Sequence, residues 1–159
     1  MAATYDYTMG GTGGFLSVFG RKFYVITRVM DVADIIASDA TMAAAGKIAA
    51  TDTIKAINVP DDTLVLGTVT RVMTACTDTT ATVDVGDGDD VEGFDAAVDI
   101  TAAAGTNGWT NNDADAYSMQ IASGKVYSAA DTIDVLFNND TTNGVFLVQA
   151  LCVDLGYEL

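Results

Sequence analysis

The chain has 159 residues, half of them hydrophobic, and a net charge of −15 at pH 7. This length suits a single domain, and the apolar share is enough for a sizeable core, which argues against wholesale disorder. The negative charge repels phosphate backbones and anionic lipids, so we expect neither nucleic acid nor a membrane as a partner.

Residues 1–20 are predicted to form an extended N-terminal arm. The stretch 9–14 is rich in glycine, which is costly to order in regular structure. Two interpretations stay open: a frayed terminus, or an arm that becomes ordered only against a partner subunit. It has neither the basic nor the apolar region of a signal peptide, so we expect synthesis in the cytoplasm. The residues predicted to contact the partner are Tyr5, Tyr7, Phe15, Phe19, Arg21 and Lys22.

Residues 21–159 are predicted to form one domain. Its first half shows the two-residue periodicity of β-strands. Pro60 marks a turn, and a break in the apolar alternation near Gly67 predicts a bulge or a bend. The alanine-rich stretch 31–50 fits a short helical turn, or a strand and a loop. The predicted strands in this half are Lys22–Met30, Thr53–Val59 and Leu64–Cys76.

Turn residues separate the predicted strands of the second half. Asp87-Gly88 predicts a tight turn with positive φ. The last strand is apolar on both faces, so we expect it to lie centrally in a sheet or to be covered by another subunit. Phe146 and Val148 on this strand, together with Trp109, are the predicted oligomer interface. The predicted strands are Ala81–Val85, Val98–Ala102, Ala116–Ala122, Ile133–Phe137 and Val145–Leu155.

A short sequence repeat links the two halves. The sequence ATDTI at 50–54 resembles AADTI at 129–133, half a chain later. Each copy opens a strand that is followed by a turn and a long apolar strand. Two related halves are typical of a sandwich made of two Greek keys. We therefore predict an all-β fold, a single jelly-roll-like β-sandwich with an extended N-terminal arm.

No combination of side chains predicts catalysis or a bound cofactor. The chain contains no histidine, which removes the commonest general base and metal ligand at neutral pH. The glycines at 10–14 lack the flanking strand and helix of a phosphate-binding loop. The acidic stretch 84–90 is predicted to be a solvated hairpin turn, with an ordered calcium ion as the alternative. We therefore expect no catalytic residues, no metal, no cofactor and no enzymatic activity.

Individual reactive residues have structural interpretations. Cys76 and Cys152 lie within apolar strands, so we expect buried free thiols rather than a disulfide or a nucleophile. Three aspartates fall within predicted strands, where we expect them on the polar face, and nothing singles out a pair for glycoside hydrolysis. These aspartates are Asp99, Asp134 and Asp154.

The stretch Thr51–Leu155 resembles small structural proteins that are encoded beside the coat genes of tailed phages. The pattern consists of a D-T-I strand and V-P turn at 52–60, a T-x-T-x-D-V-G-D-G segment at 80–88, and G-F at 93–94. The segment 128–155 is similar to the same group. The resemblance implies a jelly-roll or β-sandwich cement protein, typically a trimer seated where coat subunits meet.

The resemblance predicts a virion structural protein that decorates the outside of a phage capsid as a homo-oligomer, a trimer, and stabilises it. The expected partners are the major capsid protein, which the arm residues named above are predicted to contact, and further copies of the chain. The alternative function is a glycan-binding jelly-roll module of a phage tail or fibre. In that case Trp109, Tyr117 and Tyr127 would form a platform for stacking sugars, whereas their structural interpretation is core or subunit interface.

Overall fold

The computed structural model describes residues 22–109, 117 and 124–156. The predicted arm and all but one residue of the predicted strand Ala116–Ala122 lie outside these residues. Within the described part of the chain, neither helix is long and apolar enough to cross a membrane. The elements are β1 (Phe23–Asp31), α1 (Val32–Ser38), α2 (Ala40–Ala45), β2 (Thr53–Val59), β3 (Thr63–Thr74), β4 (Thr82–Gly86), β5 (Asp95–Asp99), β6 (Asn107–Trp109), β7 (Lys125–Tyr127), β8 (Asp131–Phe137) and β9 (Val145–Asp154).

The strands form two antiparallel sheets that enclose one core. The larger sheet has the order β1–β9–β3–β6, and β7 also pairs with β3. The smaller sheet has the order β2–β8–β4–β5. The first four strands alternate between the two sheets, which is the winding of a jelly roll. The predicted all-β, jelly-roll-like sandwich is therefore confirmed.

The sequence repeat has a structural counterpart. Its first copy opens β2, which is followed by β3, and its second copy opens β8, which is followed by β9. β2 pairs with β8 in the smaller sheet, and β3 pairs with β9 in the larger sheet. Each pair of consecutive strands, β2 with β3 and β8 with β9, crosses from the smaller sheet to the larger one. The two pairs therefore lie side by side in both sheets.

β9 lies between β1 and β3, which confirms the central position that its apolar sequence predicted. Its inward side chains include Phe146 and Val148, which are 1% and 0% exposed. Both belong to the core of their own chain, so they have no surface left with which to contact a second subunit. The predicted oligomer interface needs correction at these two positions, because alternate residues of β9 face inward.

The alanine-rich stretch between β1 and β2 forms two short helices rather than a strand. The carboxylate of Asp31 accepts hydrogen bonds from backbone amides at the start of α1, and that of Asp39 does the same for α2. Such N-caps satisfy amides that have no partner within the helix. Gly46 ends α2 with a φ of 68°, a left-handed conformation that glycine adopts without strain.

Four register shifts interrupt the regular pairing of the described strands, and two of them bear on the predictions. The register of β3 shifts between Val65 and Gly67, as the sequence predicted. The register of β2 shifts between Lys55 and Ile57. Because of this second bulge, Ala56 and Ile57 are both buried, although strict alternation would place them on opposite faces.

Both cysteines are free and buried, as predicted. Burial raises the pKa of the Cys152 thiol to about 12 and also raises the pKa of Cys76. Because the thiolate is the reactive form, we expect neither thiol to react with Ellman's reagent in the native chain at about pH 8. Both should react once denaturant unfolds the chain, as measured by thionitrobenzoate absorbance. Equal rates in the two states would contradict the buried positions.

Candidate interaction surface

A fully buried carboxylate lies in the loop that follows β4. Asp87 is 0% exposed, and its carboxylate accepts hydrogen bonds from the hydroxyls of Tyr127 at 2.7 Å and Tyr117 at 3.2 Å. The backbone amides of Asp89 and Asp90 donate to the same carboxylate at 3.0 and 3.2 Å. The prediction that Asp87 lies in a solvated turn is therefore wrong.

Lys125 on β7 completes this cluster, which we call the Asp87 cluster. Its ammonium forms ion pairs with Asp87 at 2.5 Å and Asp89 at 2.9 Å, and donates to the Tyr117 hydroxyl at 3.0 Å. It lies 4.5 Å from the centre of the Tyr117 ring and 5.2 Å from that of Tyr127, which favours cation–π attraction. The positive charge of Lys125 is therefore stabilised by two carboxylates, one hydroxyl and two aromatic rings.

The hydrogen bonds of the cluster outweigh the effect of burial on its pKa values. Burial alone would raise the pKa of Asp87, but hydrogen bonds from Lys125, Tyr127 and two amides lower it. Burial alone would lower the pKa of Lys125, but hydrogen bonds to Asp87, Tyr117 and Asp89 raise it. Both groups are therefore charged at neutral pH, and together they form an ion pair in which Asp87 is fully buried and Lys125 is largely buried.

The Asp87 cluster joins the loop after β4 to β7. The ring of Tyr117 also packs against the ring of Phe94, with centroids 5.1 Å apart in an edge-to-face arrangement. Because Asp87 has no exposed surface, its carboxylate cannot contact a substrate. Tyr127 is 3% exposed and donates to Asp87, so it cannot serve as a stacking surface for a sugar. The cluster is therefore an internal cross-link.

The acidic stretch also gives no metal site in the structure. Within residues 22–109, 117 and 124–156, no group of three or more Cys, Asp or Glu side chains is arranged to hold a metal ion. The Asp84 carboxylate instead accepts hydrogen bonds from the Ala97 amide at 2.6 Å and the Asn138 side chain at 2.8 Å. It therefore stabilises the smaller sheet.

The aspartates predicted on the polar face have different environments. Asp99 is exposed and Asp154 is half-buried, in keeping with that prediction. Asp134 is buried, and its Oδ1 has no hydrogen-bond partner among the described residues. Burial raises its pKa. Asp134 alternates with the core residues Ile133 and Val135, so it lies on the other face of β8 as predicted, but it is buried there.

The outward side of the larger sheet carries most of the exposed apolar side chains. Residues directly opposite each other on antiparallel strands project to the same side, so the register defines this surface, which we call the outer face. Five of the seven exposed large hydrophobic residues in the described chain lie on it. The outer face consists of Phe23, Val25, Thr27 and Val29 of β1, Leu147, Gln149, Leu151 and Val153 of β9, Leu64, Gly67, Val69 and Arg71 of β3, and Val126 of β7.

The residues predicted to make contacts are distributed as follows. Lys22 is exposed directly before β1. The backbone of Trp109 lies opposite Val69 on β3, beside the outer face. Sequence patterns could not distinguish Leu147 and Leu151 of β9, which face outward, from the inward residues, because both sets are apolar. The predicted contacts outside the described residues are Tyr5, Tyr7, Phe15, Phe19 and Arg21.

No protein-family model matches the chain, and comparison with curated proteins gives no match. Among solved structures, a chain of the cyanophage Pam1 capsid asymmetric unit matches with a TM-score of 0.55. The two chains share a fold. The match covers 98% of this chain and 100% of the cyanophage chain, at 15% sequence identity.

Proposed function

We propose that this chain is a non-enzymatic virion structural protein that binds the outside of a phage capsid as a homo-oligomer, a trimer, and stabilises the shell. The observation that carries the proposal is the match in fold over 98% of the chain to a chain of a cyanophage capsid. The partners would be the major capsid protein and further copies of this chain. Synthesis would take place in the host cytoplasm, before the protein joins the virion.

The construction of the sandwich supports a mechanical role. A protein that reinforces a shell must keep its shape under load, and residues buried in both sheets contribute to one core. The Asp87 cluster further fixes the loop after β4 by hydrogen bonds and ion pairs. The acidic exterior supports solubility where many copies lie close together.

We propose that the N-terminal region attaches the chain to the major capsid protein. Lys22 is exposed just before β1, and Arg21 precedes it in a chain with only seven basic residues. We propose that these two charges contact carboxylates of the major capsid protein. Tyr5, Tyr7, Phe15 and Phe19 would add apolar contacts along the same arm.

The proposal is tested with empty shells assembled from the major capsid protein of the phage that encodes this chain. Adding the purified chain should raise the melting temperature of the shells in differential scanning calorimetry, because a ligand that binds only the folded assembly stabilises it. Deleting residues 1–14 should weaken the binding while leaving the circular dichroism spectrum of the chain unchanged. Shells that neither bind the chain nor melt at a higher temperature would disprove the capsid role.

A pair of charge reversals tests the site of attachment. Lys22→Glu should weaken shell binding several-fold, because it places a negative charge against the proposed coat carboxylates. Lys55→Glu is the matched control, since Lys55 is also exposed but lies on β2 in the smaller sheet. Equal losses in the two variants would indicate a general charge effect and contradict attachment through the arm.

A further inference from the structure

We propose that the outer face is the surface through which copies of this chain pack against one another, around a closed symmetry axis. This inference rests on the proposed function and specifies the surface through which the homo-oligomer forms. Its partner is the chain itself, and the contact is apolar. The major capsid protein would then bind through a different part of the chain.

The first argument is the concentration of exposed apolar surface. Val25 on β1 lies directly opposite Leu151 on β9, and the two are 49% and 42% exposed. Phe23 and Val29 extend this surface along β1, and Val126 borders it on β7. Contiguous apolar patches of this kind are uncommon on monomeric proteins, and they mark interaction sites.

The second argument is charge. The chain carries 22 acidic and seven basic residues, so two copies repel each other across most of their surfaces. Among the described residues, Arg71 is the only charged side chain of the outer face, and the nearest carboxylate in register, that of Asp31, caps helix α1. This face therefore allows two copies to approach without opposing carboxylates. A basic partner would instead be attracted to the acidic surfaces.

The third argument is that the two uncharged polar side chains near the centre of the face, those of Thr27 and Gln149, are paired with each other. The side-chain amide of Gln149 on β9 donates to the hydroxyl of Thr27 on β1 at 3.0 Å. Polar groups with such a partner can be removed from water at less cost than unpaired ones. The centre of the outer face can therefore be buried against another copy without leaving these two groups unpaired.

Sedimentation velocity of the full chain, without any capsid protein, tests the proposal. The chain should sediment as an oligomer at micromolar concentration, and added salt should tighten the association because it screens the repulsion between acidic copies. Leu151→Asp should weaken association by about 100-fold, because each copy would bury a charge in the apolar contact. Val91→Asp is the matched control, since Val91 is also 42% exposed but lies in the loop after β4, and it should leave association unchanged.

Each outcome either supports or overturns the proposal. A full chain that remains monomeric at every salt concentration overturns it, whether residues 1–21 or the coat protein cover the face. An oligomer that persists in a folded Leu151→Asp variant also overturns it, because the contact must then lie elsewhere. Thermal unfolding by circular dichroism shows whether each variant is folded. Shell binding is measured separately, so failure of the capsid role does not decide this test.

Discussion

Replacing Asp87 with asparagine should lower the free energy of unfolding by about 3 kcal/mol. The substitution keeps the shape of the side chain but removes its charge, so Lys125 loses its closest ion pair and Tyr127 loses a charged acceptor. The expected loss lies at the lower end of the range for breaking a buried ion pair, because Asp89 still contacts Lys125 at 2.9 Å. Urea denaturation followed by circular dichroism measures the change.

Two further aspartates provide controls for this experiment. Asp89→Asn removes the exposed partner of Lys125 and should cost less than about 1 kcal/mol, as is usual for an exposed ion pair. Asp134→Asn removes a buried carboxylate whose pKa is raised, so its ionised form is unfavourable in the fold. We expect this variant to be at least as stable as the original chain at neutral pH. Equal losses in the free energy of unfolding for all three variants would show that Asp87 stabilises the fold no more than the other two aspartates.

The contribution of Asp87 depends on pH in a defined direction. Its pKa is lower in the folded chain than the ordinary value of 3.8, so its stabilising effect is complete above that value. The effect is lost as the pH falls through the lowered folded-state pKa. The stability difference between the original chain and Asp87→Asn should therefore be constant near neutral pH and shrink below pH 3.8. At the alkaline end, the raised pKa of Lys125 means that its contribution is lost only above 10.5.

The fold could be predicted from the sequence because the signals that specify it are local. Alternating apolar residues gave the strand over Lys22–Met30, and the repeated D-T-I sequence marked the starts of β2 and β8, which lie side by side. Turn residues such as Pro60 gave the breaks between strands. Each of these signals concerns a few neighbouring residues. The strands that they mark are then joined, in jelly-roll order, by connections that cross between the two sheets.

The Asp87 cluster could not be predicted because its members are far apart in sequence. Asp87 lies 30 positions from Tyr117 and 40 from Tyr127. Its immediate neighbours are glycine and aspartate, and such a composition is typical of exposed turns. Only the pairing of β7 with β3 brings Lys125 and Tyr127 to the loop after β4. One signal was available: Lys125 is one of only seven basic residues in a strongly acidic chain and stands two positions before Tyr127, which suggests a buried counter-charge.

The outer face was missed for a different reason. In β9 both sets of alternate residues are apolar, so periodicity did not show which set faces the core. The register settles this, since Val148 faces the core while Leu151, three positions later, is on the opposite side. A strand that is apolar on both faces therefore predicts an apolar surface on the outward side of the sheet, but not which residues form it.

Replacing Gly86 with alanine should destabilise the chain by about 3 kcal/mol or more, the upper part of the range for overpacking. An added Cβ would overlap the carbonyl oxygen of Asp90 and lie 2.6 Å from that of Val91. Both obstacles are backbone atoms, so no side-chain rotation can relieve the overlap. Gly88→Ala is the matched control two residues away, because Gly88 is exposed and a Cβ there meets nothing within 4 Å. Contrary to the sequence prediction, Gly88 also lacks the positive φ that would make alanine strained.

The two destabilising substitutions should not be additive, because they act on the same loop. The backbone amide of Asp87 donates to the Asp90 carbonyl at 2.8 Å, and the Asp90 amide donates to the Asp87 carboxylate. Moving residues 90 and 91 to make room for a Cβ at Gly86 therefore weakens the hydrogen bonds that hold Asp87. Gly86→Ala combined with Asp87→Asn should cost at least about 1 kcal/mol less than the sum of the single changes. Strict additivity in a double-mutant cycle would show that the loop and the carboxylate stabilise the fold independently.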